Sequence, residues 1–252
     1  MANPDFEMKH KLSYFELPNS IKRITELTKY KGESEIILQC TQLSGYENPK
    51  YESAQVKKQV LNDWINFFIN NPNSFTKIIF TSNTTQELLN AVCCQGNLKY
   101  LQIKSGNYSD ISQIEKLSQL EYLSITSGSS IEDILPLSKL DSLIALKLWY
   151  FPKITDYSCL KHLKHLEALD IEGDGNSPRK TTIESLEFVT KLQNLRRFTW
   201  ETINVKDKDY TPILSLSNLE ALNIELPKNL ESLYEQFKNL PKLKYGLVFK
   251  HL

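Results

Sequence analysis

Glycine is scarce in this chain, at 8 residues of 252. The few present never gather into a phosphate-cradling loop, a nucleophile elbow or a dinucleotide fingerprint. No zinc-protease helix occurs, and the scattered Ser, His and Asp residues assemble no triad, so the sequence predicts a protein that is not an enzyme. Cysteine is thin as well: Cys40, Cys93, Cys94 and Cys159. Adjacent Cys93 and Cys94 cannot bridge without strain, no regular spacing marks a disulfide framework, and no Cys-x-x-Cys is present. The four read as buried, reduced thiols. His162 and His165 have paired-imidazole spacing, but in Lys-His-Leu-Lys-His-Leu the leucines take the core slots and leave both rings to solvent. No carboxylate or cysteine stands beside them at ligand spacing, so neither a metal nor any other cofactor is expected.

An excess of charge of either sign is also missing. Thirty basic and thirty acidic side chains cancel, where a dedicated nucleic-acid binder would carry a basic excess or stripe. No run of about 18 apolar residues exists, so no membrane partner is expected. The opening Met-Ala-Asn-Pro-Asp-Phe-Glu-Met-Lys-His lacks an apolar core and a small-residue cleavage site. It does not read as a signal peptide, and the expected location is cytoplasmic.

What the chain has is a returning phrase. Leu98-Lys-Tyr-Leu-Gln-Ile103 comes back as Leu120-Glu-Tyr-Leu-Ser-Ile125, Leu166-Glu-Ala-Leu-Asp-Ile171 and Leu219-Glu-Ala-Leu-Asn-Ile224. Weaker copies lie at Leu143–Leu148 and Leu195–Trp200. The fourth residues, Leu101, Leu123, Leu146, Leu169, Phe198 and Leu222, are separated by 22, 23, 23, 29 and 24 positions. Leu-x-x-Leu-x-Leu at a period of roughly 20–29 residues is the leucine-rich repeat signature, and the chain resembles that family. A second cluster follows each strand, clearest in Ile131-Glu-Asp-Ile-Leu-Pro-Leu-Ser-Lys-Leu140. Ile154–Leu160 and Ile111–Leu117 echo it. This form is similar to the short repeats of bacterial internalins and of a nuclear phosphatase regulator. The resemblance covers about 98–252 and departs at one place. The asparagine expected three residues after the last strand Leu is replaced by Gly106, Gly128, Phe151, Asp174, Ile203 and Pro227; only Asn83 fits.

The resemblance implies an α/β leucine-rich repeat solenoid. A curved parallel β-sheet lies on its concave side, short helices and turns on its convex side, and a helical cap at its N-terminus. Each coil contacts only its neighbours, so the stack is one continuous unit. Residues 1–97 read as a cap plus enlarged, irregular repeats, and 98–252 as regular repeats closed by a cap strand. Within 1–35, Pro18 precedes Ile21, Ile24 and Leu27, whose spacing by three predicts a helix. Glu35–Cys40 reads as the first strand. Val56, Val60, Leu61, Trp64, Ile65 and Phe68 share one face of a helix over 53–70, expected on the convex side. Lys77–Phe80 is the next strand in register. Thr84–Cys94 is a helix capped by Asn83 or Thr84. Lys244–Phe249 is expected to be the last strand and to leave a bare sheet edge.

Alternation along each strand sends the leucines inward and names the outward residues. The first column is Tyr100, Tyr122, Ala145, Ala168, Arg197, Ala221 and Tyr245. The second is Gln102, Ser124, Lys147, Asp170, Thr199 and Asn223. The third is Lys104, Thr126, Trp149, Glu172, Glu201 and Glu225. All read as exposed on the concave face.

Trp149 with Tyr150 is the aromatic anchor of the kind common at interfaces. Asp170, Glu172, Asp174, Glu201 and Glu225 form an acidic run that favours a cationic partner. The 29-residue step marks an insertion at 172–182, rich in turn formers, expected to overhang the concave rim. The EF-hand pattern fails there, because no Glu closes the loop. The candidate partner-binding residues are therefore Tyr100, Tyr122, Lys147, Trp149, Tyr150, Asp170, Glu172, Asp174, Arg197, Glu201 and Glu225. The expected partner is another protein with a basic or mixed-charge surface, bound by a monomer. Two functions are carried forward. One is a binding module, in its sharper form an inhibitor or toxin-neutralising immunity protein. The other is a structural scaffold that associates through its terminal sheet edge.

Overall fold

The computed structural model describes residues 20–177 and 180–249. Its spine is a nine-stranded, all-parallel sheet. The strands, in spatial order, are β1 (Arg23–Ile24), β2 (Glu35–Leu38), β3 (Lys77–Phe80), β5 (Tyr100–Ile103), β7 (Tyr122–Thr126), β8 (Ala145–Trp149), β9 (Ala168–Glu172), β11 (Arg197–Glu201) and β13 (Ala221–Ile224). Spatial order follows chain order, as it must when every coil lays its strand beside the last. Two small parallel pairs complete the set: β4 (Thr84–Thr85) with β6 (Gly106–Asn107), and β10 (Thr181–Ile183) with β12 (Ile203–Val205).

Register makes the core. Ile36, Ile78, Leu101, Leu123, Leu146, Leu169, Phe198 and Leu222 are direct partners across successive strands. Each has no exposed surface. They belong to one apolar cluster running from Ile24 to Val248. Burying a leucine of this kind contributes about 1.5–3 kcal/mol.

Each regular coil returns through a five-residue 3-10 turn: Ser112–Lys116, Leu135–Lys139, Ser158–His162, Glu187–Lys191 and Thr211–Ser215. The conserved-looking polar position of the second cluster starts it. Asp110, Asp133, Asp156 and Asp209 each accept the backbone N–H two residues on, at 2.7–2.9 Å, and Ser185 does so at 3.1 Å. These local acceptors satisfy amides that would otherwise open the turn unpaired.

The missing asparagine ladder is replaced at the opposite rim. In the turns that lead into β8, β11 and β13, a side chain reaches back to a carbonyl of the preceding coil. Ser142 donates to Ser118 at 2.8 Å, Asn194 to Lys164 at 2.7 Å and Asn218 to Gln193 at 2.9 Å. Asn83 does link coils, accepting from the Ser105 hydroxyl.

The long helix is α1 (Ala54–Asn70), capped by Ser53 and burying Val60, Trp64 and Phe68. Trp64 donates its indole N–H to the Thr25 carbonyl at 2.8 Å and packs with Tyr30, Phe67, Phe68 and Phe75. A shorter helix, α2 (Gln86–Val92), is capped by Thr85 and not by Asn83 or Thr84. A third, α3 (Leu233–Lys238), lies near the far end.

Four expectations are corrected. Ile21, Ile24 and Leu27 do not share a helix face. Arg23–Ile24 is a strand beside β2, and Leu27–Lys29 a single 3-10 turn. A spacing of three spans an odd step in extended chain, so Ile24 enters the core while Ile21 packs on the open side of the sheet. Pro18 lies outside the described residues. Glu35–Leu38 is consequently the second strand. At the other end, Lys244–Phe249 makes one bridge, Tyr245 to Ala221, and then turns into a 3-10 helix at Leu247–Phe249. Gly246 forces the exit. Its φ is +117°, and a Cβ there would sit 1.9 Å from the Leu222 carbonyl oxygen. Finally, Cys40 and Cys93 are buried but Cys94 and Cys159 are half-buried; all four are free thiols.

In the 29-residue coil Trp200 fills a leucine slot beside Phe198 and Tyr157, its indole N–H buried with no partner among the described residues.

Truncating the central leucine should disturb coils on both sides: Leu169→Ala is expected to cost about 2–5 kcal/mol. Gly246→Ala, which perturbs the last coil alone, should lower stability less. Urea titrations of both variants check the order.

Candidate partner-binding site

The open face of the sheet carries the three outward columns in the expected alignment. Tyr100, Tyr122, Ala145, Ala168, Arg197 and Ala221 are cross-strand partners, and Tyr245 continues the file through its bridge. Gln102, Ser124, Lys147, Asp170, Thr199 and Asn223 form the second file. Thr126, Trp149, Glu172 and Glu201 form the third, with Glu225 exposed just past the end of β13.

Direction and exposure part company here. Tyr100, Ser124, Ala145, Ala168, Asp170, Thr199, Ala221 and Asn223 point to the open side yet are buried. Strands about 4.8 Å apart let a long side chain roof a short neighbour. Arg197 lies over Asp170, with Nε 3.1 Å from Oδ1. The acidic run is thereby partly neutralised within the chain. Asp170 is bound by Arg197, Glu172 by Lys147 at 2.8 Å, and Glu225 is approached by Lys180 at 3.9 Å. Asp174 spends its carboxylate on its own turn, accepting from Asn176 N–H at 2.9 Å. Glu201 is different. It is half-buried and has no cation partner among the described residues. Burial, then the charges of Glu172, Glu225 and Asp170, raises its carboxyl above the usual glutamate range.

Trp149 and Tyr150 are brought together, with ring centroids 5.7 Å apart, and both are half-exposed. Tyr150 sits at φ 57°, in the left-handed region, and its N–H is held by the Glu172 carbonyl at 2.8 Å. That turn takes the chain out of the sheet directly after Trp149, which stays beside Glu172, its register partner. Tyr100 and Tyr122 also pair, at 5.7 Å. They lie on the two strands before β8, with Lys77 Nζ 4.1 Å above the Tyr100 ring. The named residues therefore divide along the face. Lys147, Trp149, Tyr150, Asp170, Glu172, Arg197, Glu201 and Glu225 cluster over β8–β13, Asp174 serves its own turn just beyond β9, and the two tyrosines lie on the preceding strands β5 and β7.

The 172–182 insertion rejoins regular structure. Its far end becomes β10, paired with β12 of the following coil. Gly173 passes so close to Thr202 that a Cβ would meet its carbonyl at 2.6 Å. Pro178 and Arg179 lie outside the described residues.

A second charged file went unread. The residue after each leading leucine is Lys99, Glu121, Ile144, Glu167, Arg196, Glu220 and Lys244. Lys99 bonds Glu121 at 2.9 Å, and Arg196 bridges Glu220 at 2.7 Å and Glu167 at 3.4 Å. Of this file, Glu121, Ile144, Glu167, Arg196 and Glu220 border a groove of about 640 Å³, together with His165. The sign alternation from Glu167 to Lys244 was the available signal. His162 and His165 are both solvent-exposed. Among the described residues, no helix is long and apolar enough to cross a membrane.

No protein-family profile matches the chain, and no curated protein matches it. Solved structures do. An internalin, InlC2, of Listeria monocytogenes superposes with a TM-score of 0.53 at 20% identity, over 73% of this chain and 80% of that one. A second internalin, InlF, of the same organism gives 0.50 at 21% identity, over 69% of this chain. This chain spans about half of InlF, 54% of its length. With the parallel register already described, the chain has the leucine-rich repeat fold.

Glu201 supplies a pH prediction. Its folded-state carboxyl binds protons more tightly than the unfolded one, so ionising it weakens the fold as pH rises past the ordinary glutamate value of about 4.3. Glu201→Gln should therefore be more stable than the parent at pH 7. The difference should vanish well below pH 4, where both side chains are neutral. Urea midpoints at the two pH values measure it.

Proposed function

We propose that this chain is a non-catalytic protein-binding module that grips its partner over β8–β13. The observation that carries the reading is the placement of Trp149, Glu172 and Glu201 side by side on one open face. A half-exposed indole beside a carboxylate that has no cation partner among the described residues is a pairing an incoming basic side chain would complete. Arg and Lys from a basic or mixed-charge partner surface fit this site. Their approach would return the Glu201 carboxyl toward its ordinary range. The turn formers of 172–182 edge the same area. Balanced charge, and the absence of any catalytic motif in the sequence, favour action by occupancy, as in an inhibitor or toxin-neutralising immunity protein working as a monomer in the cytoplasm.

The scaffold alternative needs an edge strand able to accept another. Tyr245 makes one bridge before Gly246 turns the chain away, Leu247 N–H is taken by the Asn223 side chain at 3.1 Å, and Tyr234 covers the Leu226 amide at 3.0 Å. That arrangement weighs against growth from this end.

The test is capture of partners from native lysate by the parent chain and by Trp149→Ala/Glu201→Lys. The double variant should lose the captured protein, with affinity down at least about 100-fold if both are anchors at about 2 kcal/mol each. Retention of that protein at unchanged affinity would move the site off this face.

A further inference from the structure

The row that closes the strands over β8–β11 tells one kind of cation from another. Trp149, Glu172 and Glu201 are successive register partners on β8, β9 and β11, so neighbouring members stand about 4.8 Å apart at the backbone. Two of them are carboxylates and the third is a half-exposed indole. Lys147 already meets the Glu172 carboxylate at 2.8 Å. An incoming cation therefore shares Glu172, and among the described residues it has no rival at Glu201.

The indole is held in place before any partner arrives. The Trp149 carbonyl accepts the N–H groups of Ser127 at 2.9 Å and Gly128 at 3.3 Å, both in the preceding coil. The Tyr150 N–H goes the other way, to the Glu172 carbonyl of the following coil at 2.8 Å. Behind them Phe151 is buried, its ring so close to Gly128 that a Cβ there would meet it at 2.4 Å. Peptide groups tied to both neighbouring coils, with a buried ring beneath, leave the Trp149–Tyr150 pair little freedom to lose on binding.

Charge alone would let either basic side chain satisfy Glu172 and Glu201. The indole separates the two. An ammonium is a compact, strongly hydrated charge whose three donors spread from one atom. A guanidinium is flat, gives up water more readily, stacks on an aromatic face and offers a fork of donors that two neighbouring carboxylates can share. Resting on the reading of β8–β13 as the partner face, we infer that this row is an arginine clasp. The partner seats one guanidinium with its plane on the Trp149 indole and its donors toward the Glu172 and Glu201 carboxylates. The partner is thus a protein whose contact surface presents arginine, and exchanging that arginine for lysine weakens the complex although the charge is kept.

The test uses the full chain and two probes, the peptide acetyl-Gly-Ser-Arg-Ser-Gly-amide and its lysine twin, titrated under heteronuclear NMR. The Trp149 indole N–H signal is identified by its loss in Trp149→Leu. In the parent, that signal and the Glu201 amide should move with the arginine peptide at about two- to five-fold lower concentration than with the lysine peptide, the ratio an exposed cation–π contact supplies. In Trp149→Leu the ratio, followed at the Glu201 amide, should fall to about one. In Glu201→Gln both peptides should weaken, with the remaining amide signals as in the parent. Equal affinity of the two peptides for the parent, or a ratio that survives Trp149→Leu, would overturn the inference and leave the partner face where it is. Movement of neither signal up to the solubility of the peptides would overturn it as well. Whether the face is used at all is read separately, by the protein that the Trp149→Ala/Glu201→Lys chain fails to capture.

Discussion

Parallel pairing at one fixed register is the constraint on which everything else rests. Because Leu101 opposes Leu123, and Leu123 opposes Leu146, the choice of inward residue in one coil dictates it in the next. A slip of one position would turn every leucine to the open side and every Tyr, Lys and Asp into the core. The apolar file and the outward columns are thus one fact seen from two sides. The same register that buries Leu169 sets Asp170 beneath Arg197 and Glu172 beside Trp149.

The regular half was readable because its signal is redundant. Six copies of one phrase at nearly equal steps specify strand, facing and order together, and each copy corrects the next. Where the chain speaks once, the reading weakened. Ile21, Ile24 and Leu27 offered three apolar positions and no repeat to compare with, so a strand edge followed by a 3-10 turn passed for a helix. Gly246 stood in a leucine slot, and only the close passage of the Leu222 carbonyl shows why the strand ends there. The Asp that opens each turn was visible in Ile131-Glu-Asp133. Its bond to the amide two residues on was not.

The candidate site was readable in direction and not in exposure. Alternation says which way a side chain leaves the sheet, but it is silent on what its neighbours cover. Asp170 seemed part of an acidic surface and is roofed by Arg197, because the two fall on adjacent strands two positions apart in register, on the same face. Glu172 is likewise tied to Lys147. Subtracting these internal pairs leaves Glu201 as the carboxylate with work undone, a distinction that depends on distances between strands and that no list of charges contains. The rim file around Arg196 shows the converse: its charges were in plain view, and only their contact across coils gives them meaning.

The three tryptophans divide the molecule optically. Trp64 is sealed in the aromatic cluster under α1, Trp200 in the 29-residue coil near the other end, and Trp149 stands between them on the open side. A small quencher in solution would dim Trp149 first and leave the other two bright until their own coils part. With two of the three replaced in turn, one fluorophore at a time would report the amino-terminal end, the carboxy-terminal end or the surface. Fraying from one end of the stack would then separate in time from fraying at the other.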